Sequence, residues 1–230
     1  MATGESGTTR AKGLSQTQRA VQELRHLILT NRLPAGSNHL ESELAEQLGM
    51  SRTPVREATL VLETQGLLKV RPRRGVQISS LSAKDMEEIY QVLTELESLA
   101  AELVARRAFG EERFAPLVAA MEDMEAAITA EDREAWARAD ERFHAELVSL
   151  AGNGRIIAIV SAFNDQVSRA RALTLYIRPL PEDSLRDHRA LLDALRSGDA
   201  AAARDIHRTH RIKAQHMMVD LLRKHGFHSV

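Results

Sequence analysis

The chain has 230 residues, 43% of them hydrophobic, which is enough to build the cores of two modest domains and excludes a disordered protein. It contains no cysteine, which excludes disulfides and thiolate metal sites. The first residues, MATGESGTTRAKG, lack the apolar run of a signal peptide, and no stretch approaches the roughly 20 apolar residues of a spanning helix, so a cytoplasmic protein without a membrane partner is expected. The net charge of −1 conceals an asymmetry: residues 1–80 carry 11 Lys+Arg against 7 Asp+Glu, whereas residues 81–230 carry 20 against 25. A polyanionic partner is expected on the amino-terminal part.

In chain order, residues 1–14 are small and polar and read as a flexible tail, with Arg10 and Lys12 supplying a weak phosphate affinity. Val21, Leu24, Leu27 and Ile28 recur at helical spacing and predict a first helix over 16–31, closed by the turn at Pro34 and Gly36. In LAEQLGMSRTPVRE, Leu44, Ala45 and Leu48 mark one face of a second helix, Gly49 supplies the positive backbone dihedral that ends it, and Met50 is expected as a buried plug. Ser51 is the expected N-cap of a third helix, with Pro54 in its first turn. Arg52, Thr53 and Arg56 then sit at the amino-terminal end, the end that meets base edges and phosphates in helix-turn-helix proteins. Two β-prone runs, 67–71 and 76–79, flank Pro72, Arg73, Arg74 and Gly75, a hairpin with a basic tip. Residues 15–80 therefore read as a winged helix-turn-helix domain that binds double-stranded DNA. Its contacts are expected from Ser51, Arg52, Thr53, Arg56, Arg73, Arg74 and Gly75.

After Leu81 the strand-like alternation stops. Ser82 with Asp85 predicts a capping box opening a long helix that ends near Phe109 and Gly110. Further helices are expected over 112–129, 132–150, 154–175, 183–197 and 199–225. Residues 81–230 thus read as an all-α bundle of six helices, and with only 3% aromatic residues its core is aliphatic. The fold class is mainly α.

On the motifs LAEQLGMSRTPVREA, LETQGLL and RPRRGV, the first eighty residues resemble the DNA-binding domain of the GntR family of bacterial transcription regulators. The rest resembles the helical ligand-binding domain of the FadR-type branch, called FCD. The resemblance implies a divalent metal held by Asp140, His144, His188 and His210, in the phrases ADERFHAELVSLAGN, RDHRALLDALRSGD and RDIHRTHRIKA. Helix geometry is compatible, because residues four apart share a face and Asp140 and His144 can both point into the bundle. Three imidazole nitrogens and one carboxylate oxygen suit zinc first, with nickel, manganese or iron as alternatives. His207, one turn before His210, is expected behind the ligands or on the surface, and His26, His39, His216, His225 and His228 at the surface.

The family commonly carries an arginine that meets the effector's carboxylate where the register VLTELE here puts Leu93, and Arg169 or Arg171 is expected to take over that role. Asn38 and His39 stand where more basic residues are expected. The function expected is a metabolite-responsive regulator, a repressor, that binds a pseudo-palindromic operator as a homodimer and senses a small carboxylate at its metal, and it is not an enzyme. The alternatives are the same regulator with a purely structural metal and no effector, or a helical-bundle metalloenzyme. For the latter, Glu141 with His144 offers one Glu-x-x-His element and no second is present.

Overall fold

The computed structural model describes residues 14–107 and 109–225. The tail residues Arg10 and Lys12, and His228, lie outside the described residues.

Helix α1 (Gln16–Leu29) opens with a capping box between Ser15 and Gln18 and buries Ala20, Leu24, Leu27 and Ile28. Helix α2 (Glu41–Gln47) ends at Gly49, whose φ of 62° is the left-handed value that the sequence demanded. Met50 beyond it is half-buried against the core rather than a buried plug. Helix α3 (Arg52–Thr64) buries Val55, Ala58, Thr59 and Leu62. Ser51 holds its N-cap position in extended geometry, but its side chain makes no capping hydrogen bond.

The wing is a three-stranded antiparallel sheet in the order β1 (Asn38–His39), β3 (Gly75–Ile78), β2 (Leu68–Arg71). The hairpin pairs Leu68 with Ile78 and Arg71 with Gly75. Strand β1, which pairs His39 with Val76, was not expected, since two residues are too few to show an alternating pattern. It explains Gly75 more sharply than a tight tip does, because a Cβ there would fall 2.1 Å from the His39 carbonyl oxygen. The tip itself is a turn closed by Arg74 N–H donating to Arg71 O at 2.9 Å, with Pro72 at its second position and Arg73 at a φ of 63°.

The remaining α-helices are α4 (Ala83–Ala105), α5 (Ala115–Thr129), α6 (Arg133–Leu150), α7 (Gly154–Thr174), α8 (Glu182–Ser197) and α9 (Ala200–Lys224). The Ser82–Asp85 capping box opens α4 as expected. The helix ends at Ala105, short of Phe109, because Gly110 serves instead as the N-cap of a 3-10 turn, Glu111–Phe114, that leads into α5. Helix α4 packs along α9, α5 along α6, and α8 along α9. No helix among the described residues is long and apolar enough to cross a membrane.

Buried apolar side chains form two separate clusters. One runs from Ala20 to Ile78 and the other from Leu81 to Leu222. Helix α7 bridges the two parts: Arg25 Nε meets Asp165 Oδ2 at 2.7 Å, Gln166 Nε2 donates to Gln65 O at 3.1 Å, and Arg169 Nη1 donates to Ser79 O at 2.5 Å. The approach is close at Gly66, where a Cβ would fall 2.6 Å from Gln166 Nε2.

Candidate nucleic-acid interface and candidate metal centre

On α3 the apolar face is spent on the core, which leaves Arg52, Thr53 and Arg56 exposed at the amino-terminal end. Arg73 and Arg74 are exposed at the tip of the wing. None of these four arginines forms an ion pair among the described residues, so their charges remain available to a polyanion. Arg71 differs, because its Nη2 donates to Gln77 Oε1 at 2.7 Å on the neighbouring strand. His39 is drawn into the sheet, with its Nε2 2.7 Å from Ser37 Oγ.

In the bundle, α6 contributes Asp140 and His144, α8 contributes His188 and α9 contributes His210, and one potential ligand atom from each lies within 4.8 Å of the others. Asp140 and His188 are only 2% and 1% exposed. Asp140 divides its carboxylate: Oδ1 faces His188 Nε2 at 3.5 Å and His144 Nε2 at 3.8 Å, while Oδ2 is held by Arg171 Nη1 at 2.7 Å. Burial would raise the Asp140 carboxyl, but the Arg171 guanidinium overrides it and holds the group well below the usual carboxylate range.

Each histidine has an oxygen atom close to its other ring nitrogen, hydrogen-bonded in the case of His188. His144 Nδ1 lies 3.0 Å from Glu97 Oε2, His188 Nδ1 lies 2.7 Å from Ser184 O, and His210 Nδ1 lies 3.5 Å from Asp187 Oδ2. Such contacts fix tautomers and aim the opposite nitrogens, which is how metal-ligating imidazoles are held. His144 Nε2 and His188 Nε2 are buried with no hydrogen-bond partner among the described residues. Burial also pushes His188 and His210 below the ordinary histidine value, toward the neutral form that binds a cation. Orphaned nitrogens, a carboxylate oxygen aimed at them and neutral rings are together a donor set that fits a divalent metal.

Helix α4 brings in Glu97, which the sequence reading missed, although it sits on the same helical face as the buried Leu93, Ala101 and Val104. Its carboxylate is held charged against burial by Arg211, 3.2 Å away, which itself packs over the Tyr90 ring. His207 is fully buried, not a surface residue. Its Nε2 lies 3.5 Å from Glu97 Oε2 and 3.4 Å from His144 Nδ1, so it backs His144 on the side away from Asp140. Glu141 turns to α7, where it accepts from Ser168 Oγ at 2.9 Å, and takes no part in the Asp140 cluster.

The two arginines expected at an effector part company. Arg171 ion-pairs Asp140 and lines a cavity of about 420 Å³ that opens beside Asp140 and His210. Arg169, two residues earlier on the same helix, points about 200° away. It is only 3% exposed and its Nη1 donates to Ser79 O at the base of the wing, a contact between the two parts of the chain and away from the cavity that Arg171 lines.

Two family models match the chain: "Bacterial regulatory proteins, gntR family" over residues 16–78 and "FCD domain" over residues 88–213. The HTH-type transcriptional regulator YdhC of Bacillus subtilis is 35% identical over 79% of this chain and 81% of its own length. The probable D-xylose utilization operon transcriptional repressor of Paenarthrobacter nicotinovorans is 33% identical over 76% of each. Among solved structures, E. coli McbR/YncC shares the fold, with a TM-score of 0.76 at 22% identity over 91% of this chain and 99% of that one.

Proposed function

The chain belongs to the GntR family of bacterial regulatory proteins and carries an FCD domain, so it is a DNA-binding transcription regulator and not an enzyme, and from that premise we propose a metal-dependent sensor of small carboxylates. In this reading residues 15–80 form the reading head and residues 81–230 the sensor, a division supported by the break between the two apolar cores at residues 78–81. The protein acts in the cytoplasm as a homodimer, each copy meeting one half-site of a pseudo-palindromic operator. Ser51, Arg52, Thr53 and Arg56 enter the major groove, while Arg73 and Arg74, with Gly75 keeping the tip narrow, follow the backbone or the minor groove.

Asp140, His144, His188 and His210 hold the divalent cation, zinc foremost. The observation that carries this is the convergence of the four side chains within 4.8 Å, with His144 Nε2 and His188 Nε2 buried, without partners and facing Asp140 Oδ1. When bound, the metal would supply a fixed positive charge able to attract a carboxylate entering the adjoining cavity. Arg171 orients Asp140, and Glu97 orients His144.

Helix α7 connects input to output. It carries Arg171 at the cluster and Asp165, Gln166 and Arg169 at the reading head, so a shift of α7 on ligand binding changes both. A ligand alters operator affinity only by the difference in its own affinity for the two arrangements. As a repressor, the protein leaves its operator when the acid binds. Elemental analysis of the purified protein tests the foundation: about one divalent metal per chain is expected, with loss of it in the Asp140→Ala, His188→Ala double variant, and retention of the metal there contradicts the site.

A further inference from the structure

The cavity beside Asp140 contains a second polar locus that the metal ligands do not use. Arg178 follows the 3-10 turn Leu175–Ile177, and its Nε and Nη2 donate to Thr174 Oγ1 at 2.9 and 2.5 Å, with Met218 Sδ 3.5 Å from Nη2. These acceptors are neutral, and Arg178 forms no ion pair among the described residues. Among the other cations of the wall, Arg171 is ion-paired by Asp140 at 2.7 Å and Lys213 by Asp187 at 3.0 Å, whereas Arg133, like Arg178, meets a neutral acceptor, the carbonyl oxygen of Arg178 at 2.7 Å. Burial, which the smaller influences of Tyr90 and Asp140 do not offset, pushes the Arg178 guanidinium down to about 10. The acids of the 182–183 segment are exposed at the rim, and Asp183 is taken by Arg186.

A donor in the same wall is unsatisfied too. Trp136 lies one turn before Asp140 on α6, and its Nε1–H is buried with no acceptor among the described residues. A buried donor left without an acceptor is costly, and Trp136 Nε1–H is placed to use one supplied within the cavity it lines.

We propose that the cavity takes an acid with two anionic groups, one meeting the metal and the second received by Arg178, with an acceptor on the same molecule meeting Trp136 Nε1–H. This inference rests on the metal-sensor reading and adds the ligand's second charge. A mouth of this volume accommodates such a small molecule whole. Arg178 thereby does, from just beyond the 3-10 turn that follows α7, what Leu93 on α4 is unable to do.

The experiment is calorimetric titration of the full-length, zinc-loaded protein with succinate, glutarate and adipate against butyrate, valerate and hexanoate. At least one diacid is expected to bind about 10- to 100-fold more tightly than its monoacid of equal length, the range of a charge-assisted pair. Arg178→Gln should erase that margin while leaving the monoacid unchanged, and Arg178→Lys should retain part of it. Trp136→Phe should weaken the diacid by roughly tenfold or less. Zinc content and far-UV circular dichroism report whether each variant folds, and if Arg178→Gln does not, the wild-type margin decides alone. A missing margin, or one that survives in a folded Arg178→Gln, overturns the inference. Should both acid classes bind, depend on Asp140 and ignore Arg178, the metal-sensor reading stands without it. If neither class binds, both fall.

Discussion

The reading head and the bundle handle charge in opposite ways. In the reading head the functional arginines are exposed, without ion pairs and confined to two short motifs, at 52, 56, 73 and 74. In the bundle the charges are buried and gathered from α4, α6, α7, α8 and α9, and nearly every one is matched by a neighbour within the chain. An exposed arginine costs little to keep and waits for a polyanion of large size. A buried carboxylate or imidazole is tolerated only when its partners are supplied, so the histidine nitrogens left without one beside Asp140 fit a cation there. The contrast explains why one end suits DNA and the other a metal with an acid.

The largest expected effect falls on the bundle. With free zinc held about a thousandfold above its dissociation constant, binding stabilises the folded chain by roughly 4 kcal/mol. Chelation should therefore lower the melting temperature by about 8–16 °C in differential scanning calorimetry. A chelator without effect would make the cluster an ordinary buried polar network and erase the contrast.

In the reading head, Arg52→Ala or Arg56→Ala should each cost about 1–3 kcal/mol of operator binding by fluorescence anisotropy, with melting temperature unchanged because both residues are exposed. Undiminished affinity in both variants would remove α3 from the groove. An effect of similar size is expected at Glu97, which touches no metal in this account but lies beside His144. Glu97→Gln should weaken zinc roughly 10- to 100-fold in a competition assay, and metal affinity equal to the wild type would reduce Glu97 to a structural acid.

The same contrast governs how much could be read in advance. The five helices from α5 onward fall within a few residues of their expected spans, because helical periodicity, Gly198 and the capping residues Asp132, Asn153 and Asp199 are local signals. The arginines of α3 and the wing are equally local. Strand β1 escaped because its partner lies 37 residues away and its two residues carry no pattern. Glu97 escaped because a lone acid on a helix reads as a solvated residue unless its place in an apolar stripe is noticed. The choice between Arg169 and Arg171 depended on which face of α7 meets α6, a fact of packing that no spacing within α7 contains. Arg178 and Trp136 were invisible for the same reason, since what singles them out is the partner that each lacks.

The central claim is that the buried cluster and the exposed arginines belong to one device. It is tested most directly by measuring affinity for an operator selected from random-sequence duplexes, using zinc-loaded protein with and without a diacid found to bind it. The account predicts an affinity change of roughly 5- to 150-fold, toward release, that disappears in the Asp140→Ala, His188→Ala variant. Equal operator affinity with and without bound acid would contradict it.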